Sequence, residues 1–329
     1  MKQIGYIIFI LLGVSCSKGD PNEGKSGSDE PGALGKTYRG NVVLKTQQEI
    51  NDFGAEKYVD ITGNLTISEG TPASITDLTP LAPLKRVVGS MYIQKNENLK
   101  SITGFPNLSA IDAGLIISEN NNLERIDGFE NLQQVGGDIA ITNNDSSFGI
   151  FGFSNLSLVK KGVYITNLFG KNILQLSAFE NLKTIEQDLV LGNIDGNLDK
   201  FGKIENIGND LVVQRINEVE DLRFLSSLKS VGRETTFTLN GALKTLNGFN
   251  EVVTIGADLI ILGNPSLANL DGLNGLSSCG DLKISTNGTL ADFCGLQNLF
   301  DSGWANQTFV IDNAYNPSVS QLRSGNCAN

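Results

Sequence analysis

The chain has 329 residues, with 36 Asp and Glu against 25 Lys and Arg, a net charge of −11 and no His. This balance offers no basic face to phosphates and argues against a nucleic-acid partner. Without His, neither a Ser-His-Asp nor a Cys-His arrangement can be assembled. A hydrophobic content of 40%, with 37 Gly and 16 Phe against one Trp, fits a narrow continuous core interrupted by many turns.

Met1-Lys2 is a minimal charged start, residues 4–12 are an apolar stretch, and Gly13-Val14-Ser15-Cys16 ends it with small residues before a cysteine. This pattern resembles a lipoprotein signal over residues 1–15, with Cys16 as the new, acylated N-terminus. Residues 17–36 hold almost nothing to bury and read as a flexible tether, on the order of 25 Å in root-mean-square reach. No other stretch is long and apolar enough for a spanning helix, so the expected membrane attachment is the lipid on Cys16. The expected location is the bacterial outer membrane, exposed at the surface.

Residues 37–62 read as an N-terminal cap. Val42-Val43-Leu44 alternates as a strand, and Thr46-Gln47-Gln48-Glu49 is a capping box that starts a short helix through Phe53, stopped by Gly54.

From residue 63 onward one phrase recurs, clearest in Asn98-Leu99-x-x-Ile102-x-Gly104-Phe105-x-Asn107-Leu108 and Asn122-Leu123-x-x-Ile126-x-Gly128-Phe129-x-Asn131-Leu132. Each coil opens on two apolar residues separated by one: Leu65/Ile67, Met91/Ile93, Leu115/Ile117, Ile139/Ile141, Val163/Ile165, Leu189/Leu191, Leu211/Val213, Phe237/Leu239, Leu259/Ile261, Leu282/Ile284 and Phe309/Ile311. Successive pairs start 22 to 27 residues apart, the leucine-rich-repeat range. Alternation at period two makes these strands, stacked in parallel about 4.8 Å apart into a rod on the order of 50 Å long. The predicted fold is mainly β: a right-handed parallel β-solenoid of about eleven coils. Apolar residues three apart, as in Leu243, Leu246, Phe249, Val252 and Ile255, predict extended or 3₁₀ corners. Asn96, Asn120, Asn144, Asn264 and Asn287, each three residues past a strand's second apolar position, predict a structural Asn ladder at an inward turn.

The outward residue between each inward pair forms a column: Thr66, Tyr92, Ile116, Ala140, Tyr164, Val190, Val212, Thr238, Ile260, Lys283 and Val310. Tyr92, Ile116, Tyr164, Val190 and Val212 are the candidate partner-binding face, because exposed apolar patches mark contact sites. The same residues also favour the sheet by ladder pairing. A second column, just before the strand, holds Asp138, Asp188, Asp210, Asp258 and Asp281, with Asn64, Ser90 and Thr236 in the same slot. Adjacent-coil Asp pairs open an alternative, a carbohydrate-binding or weakly polysaccharide-degrading β-helix or a shared cation. A carboxylate capping turn amides is the stronger reading.

Cys279 occupies a repeat position filled elsewhere by Ile111, Val135 and Ile255, and so is expected to be buried and apolar. Cys294 and Cys327, in the last coil and beside the terminus, are placed to form a disulfide pinning a C-terminal cap. With no His and no paired C-x-x-C, the rival structural zinc site is disfavoured. The glycines lack a following Lys-Ser/Thr, so no nucleotide loop is present and no cofactor is expected.

Gly63-Asn64-Leu65-x-Ile67, Gly137-Asp138-Ile139-x-Ile141, Phe293-Cys294-Gly295-Leu296, Asn313-x-Tyr315-Asn316-Pro317 and Gly325-Asn326-Cys327 resemble the receptor L-domain-like leucine-rich-repeat surface lipoproteins of Bacteroidetes. The resemblance covers nearly everything after Lys36, apart from coils near residues 149–156 and 193–209, which depart from the phrase. It extends distantly to the ligand-binding L domains of insulin- and epidermal-growth-factor-type receptors and to some fungal wall proteins. It implies a surface module for adhesion or host interaction, with no catalytic residues to carry over. The expected partner is a protein or glycan at the cell surface, with self-association a further expectation.

Overall fold

Apolar residues two apart at the head of each coil, closed by a polar corner, have one economical solution in the computed structural model: successive coils hydrogen-bond in parallel along three faces. It describes residues 35–70, 73–144, 149–168, 174–176, 178–194, 196–198 and 203–329. The expected signal peptide, Cys16 and all but the end of the tether lie outside the described residues. Residues 32–329 form one compact unit, whose core runs from Val42 to Cys327 and is closed by caps at both ends, so this unit has what it needs to fold alone.

The long sheet has twelve strands, from Val42–Leu44 to Thr308–Ile311. A second sheet has ten, from Lys36–Tyr38 to Thr254–Ile255. A third has five, from Ser101–Ile102 to Gly196–Asn197. The fold is thus the mainly β, parallel solenoid that the repeat predicts, and coils that depart from the phrase keep its register, as Leu189–Ile194 pairs with Leu211–Ile216. Lys36, assigned to the tether, already belongs to a strand. The 3₁₀ corners appear at Thr79–Leu81, Arg223–Leu225, Asp271–Leu273 and Cys294–Leu296.

From Lys95 onward each coil closes on a corner where a residue turns left-handed. Lys95, Glu119, Asn143, Asn167, Asn193, Arg215, Leu239, Thr286 and Asp312 all have φ between 50° and 59°, a conformation that costs an L-residue about 1–2 kcal/mol. The next residue offsets that cost. Asn120 accepts the N–H and Nδ2 of Asn96 at 3.1 and 2.9 Å and donates to the Ile93 carbonyl at 2.9 Å. The same pattern links Asn120 to Asn144 and continues through Asn240, Asn264, Asn287 and Asn313, ending on Asn316. Asn240 and Asn313 were not among the expected ladder residues. Between the two runs, Leu168, Ile194 and Ile216 replace Asn, and there the strands lengthen to six residues. Without a side chain to bond the corner, the backbone stays in the sheet. An exposed line takes over outside it: Asn167 donates to Asn143 at 2.8 Å and Asn193 to Asn167 at 2.7 Å.

The recurrent phrase Gly-Phe-x-Asn-Leu is also structural. Phe105, Phe129, Phe153 and Phe179 stack with centroids 5.1–5.4 Å apart. Asn107, Asn131, Asn155 and Asn181 each donate to a carbonyl of the coil before. Gly104 is required because a Cβ there would lie 2.2 Å from the Leu78 carbonyl oxygen.

Three expectations need correction. The inward pair of the coil at residue 237 is Thr235 and Phe237, with Leu239 45% exposed. That of the last coil is Thr308 and Val310, with Phe309 and Ile311 exposed. The outward column therefore ends Thr236, Ile260, Lys283, Phe309. The third concerns helix α1 (Gln47–Ala55), which has the expected Thr46/Glu49 capping box but runs through Gly54. Gly54 lies against Pro80, where a Cβ would meet the carbonyl oxygen at 2.5 Å, and the left-handed turn falls on Lys57. At the other end α2 (Gln297–Asp301) and α3 (Val319–Arg323) form the cap, and Cys294 and Cys327 are disulfide-bonded. Cys279 is free and buried, as its repeat position predicts.

Two substitutions test this account of the interior. Asn264→Ala leaves the buried Asn240 N–H without an acceptor and removes the second donor to the Phe237 carbonyl, and should cost about 2 kcal/mol in a denaturant titration. Thr235→Val removes an inward hydroxyl without a partner at nearly constant shape, and should raise stability by about 1 kcal/mol.

Candidate recognition face

The outer surface of the long sheet carries three parallel lines of side chains, because strand alternation sends every second residue outward. The middle line follows the strand pairing from Val43 through Thr66, Tyr92, Ile116, Ala140, Tyr164, Val190, Val212 and Thr236 to Phe309. The five candidate residues therefore lie in one column, with Ala140 completing it.

They are not uniformly exposed. Ala140, Tyr164 and Val190 retain 7%, 9% and 4% of their accessible surface, with Ile116 and Val212 packed against them as a cluster separate from the interior core. Tyr92 is half-buried. The cause is local: the Tyr164 ring folds over Gly162, where a Cβ would lie 2.5 Å from it. Its hydroxyl donates to Asp188 Oδ2 at 2.8 Å. Burial, then the neighbouring Asp188 carboxylate, push the phenol well above its ordinary range, so Tyr164 remains a neutral donor. The stripe is a packed ridge with half-exposed rims at Tyr92, Ile116 and Val212.

The acidic line beside it works as inter-coil caps. Asp138 accepts the Gly162 N–H at 2.9 Å, Asp188 that of Asp210 at 3.1 Å, Asp210 that of Glu234 at 2.9 Å, Asp258 that of Asp281 at 2.9 Å and Asp281 that of Gln307 at 3.1 Å. Asn64 and Ser90 do the same. The bonded amide belongs to the next coil, not to the local turn, and the slot assigned to Thr236 is held by Glu234. One carboxylate oxygen of each Asp is thereby committed to the backbone. Among the described residues, no cluster of three or more metal-ligating side chains occurs.

Sequence reasoning missed the corner line, where Lys95, Glu119 and Asn143 border a shallow polar groove with Glu97 and Asn121. The signal was present: each stands immediately before a ladder Asn or in its own Asn run.

Residues 59–146 match the family model of the Receptor L domain, a non-enzymatic ligand-binding domain. The matched stretch contains the long-sheet strands from Leu65–Ile67 to Ile139–Thr142, and the coils that follow extend the same pairing. No curated protein matches the chain.

At its C-terminal end the face carries a close ion pair, Lys283 with Asp258. Lys283 holds the Asp258 carboxyl below its usual range, and Asp258 raises the Lys283 ammonium. A lowered carboxyl stabilises the fold above the unfolded value near 4 and ceases to do so as pH falls through the folded value. The raised lysine contributes below the unfolded value near 10.4 and stops contributing as pH rises through the folded value. Lys283→Met should therefore lower the melting temperature slightly at pH 7, and the difference from the parent should shrink as pH drops below about 4.

Proposed function

We propose that the protein is a non-enzymatic recognition module, held at the outer-membrane surface by a lipid on Cys16, which binds a protein partner with the outer face of its long sheet. One observation carries this reading. From Tyr92 to Val212 six consecutive outward positions hold Tyr, Ile, Ala, Tyr, Val and Val, although the interior core is already complete without them. Apolar side chains flanked by Ser90, Asp138, Asp188 and Asp210 on one side and by Gln94, Ser118, Thr142 and Thr166 on the other match the apolar-centre, polar-rim anatomy of protein interfaces.

Pre-packing of Tyr164 and Val190 favours binding, because ordered side chains lose less conformational entropy on association. The Asp line contributes charge at the rim, where its role is steering more than affinity. The lipid anchor is supported by the Gly13-Val14-Ser15-Cys16 ending of the apolar stretch and by the polar residues 17–34 that follow it.

The test is binding of residues 32–329 to paired arrays of extracellular proteins and glycans, with an Ile116→Lys/Val212→Lys variant alongside. Both positions are half-buried rims, and the variant's melting temperature is checked first. Protein hits weakened about tenfold or more in the variant are the expected result. Hits of unchanged strength, or glycan hits alone, would sink the sheet-face reading.

A further inference from the structure

The three sheets end differently at the C-terminal cap. Beyond the second sheet, Asn298, Ser302, Trp304 and Asn306 donate to carbonyls of Leu276, Ser277 and Cys279. Beyond the third, the chain end folds back antiparallel at Asp292 and Ala328, with the Phe293 N–H on the Cys327 carbonyl at 2.9 Å, pinned by the disulfide. The long sheet receives no such closure. It stops at Thr308–Ile311, which pairs on one side only.

The groups left open can be identified. Leu282 donates to the Gln307 carbonyl and Thr286 to the Ile311 carbonyl, so odd-numbered residues face the neighbouring strand. The N–H and C=O of Thr308 and Val310 therefore point away from the sheet, and among the described residues nothing meets them. Thr308 and Val310 are only half-buried, while Leu259, Ile261, Leu282 and Ile284 in the two preceding coils are fully buried. On the outer side Phe309 is 54% and Ile311 42% exposed. Native sheets usually guard such an edge with charge, proline or a covering segment. Thr-Phe-Val-Ile has none of these within it.

We propose that this strand joins two copies of the chain by antiparallel edge pairing about a twofold axis at Val310. The sequence is self-complementary about that residue. With Val310 opposite its symmetry mate as a hydrogen-bonded pair, each Phe309 lies against the other copy's Ile311 as a close, non-hydrogen-bonded pair on the outer face. Each Thr308 then receives the edge of the other copy's Asp312, which keeps the two Asp312 carboxylates at opposite ends of the contact. A twofold contact closes on itself and leaves no further edge at that end. The two long sheets become one continuous surface, with the Phe309 end of each middle line against the other copy's Ile311.

The experiment is sedimentation velocity of residues 32–329 over a concentration series, with oxidative cross-linking of Val310→Cys. Paired Val310 positions would sit about 5.5 Å apart between Cα atoms, inside the range a disulfide spans. The remaining thiol, Cys279, is buried. The expected result is a reversible doubling of mass with concentration, and a covalent dimer of Val310→Cys on mild oxidation. Phe309→Lys/Ile311→Lys and Val310→Pro should both be monomeric. The proline removes an outward N–H and leaves an apolar side chain of similar size at the half-buried inward position, so its melting temperature should fall only slightly, and Val43→Lys at the opposite end should dimerise normally. A parent that remains monomeric to millimolar concentration, or a dimer indifferent to Val310→Pro, would overturn the proposal. So would a monomer that captures an added extended peptide on this edge, which would assign the strand to a foreign partner.

Discussion

Everything in this molecule depends on how a tight coil satisfies backbone groups at corners that water cannot reach. A buried amide without a partner costs on the order of 1–3 kcal/mol, and a solenoid presents that problem at every coil. The solution here is a side chain that bonds the neighbouring coil. At the inward corner Asn is both donor and acceptor, at the Phe-x-Asn corner it donates to the coil before, and on the outside Asn143, Asn167 and Asn193 bond one another. The Asp line adds acceptors for the next coil at the start of the strand. Coil-to-coil bonding by side chains also fixes the register that short two-residue strands such as Gln134–Val135 could not hold alone.

Much of this was legible in the sequence. The strand heads, the 3₁₀ corners, the capping box at Thr46, the buried Cys279 and the Cys294–Cys327 bridge follow from pattern and position. The failures have specific causes. At residues 235–239 and 308–311 hydrophobicity alone chose Leu239 and Ile311 as inward, because Thr at an inward position looks polar. The ladder rule would have corrected both, since Asn240 and Asn313 lie three residues past Phe237 and Val310. Gly54 read as a helix stop because composition cannot show Pro80 lying against it. The acidic line was legible as capping, but the amide it caps belongs to another coil, a contact that local sequence does not contain.

The candidate face was legible as a line and not as a surface. Period two places Tyr92 to Val212 in one column, but whether a column is open or folded down depends on its neighbours. Gly162 makes room for the Tyr164 ring, and Asp188 holds its hydroxyl. The result is a ridge whose centre is ordered and whose rims are available. Structural work thus accounts for the Asn, most of the Asp and the corner glycines. The outward apolar line and the bare strand at Thr308–Ile311 are what the fold does not itself require.

The central physical claim, that side-chain ladders and not strand length hold the coils together, is tested most directly by amide hydrogen exchange of residues 32–329. The N–H groups of Asn120, Asn240, Asn264 and Asn287 each donate to the Asn of the next coil. They should therefore exchange as slowly as the inward strand amides and open only with global unfolding. Exchange of those four at loop-like rates, with the strands still protected, would contradict the account and leave the sheets as the sole support of the solenoid.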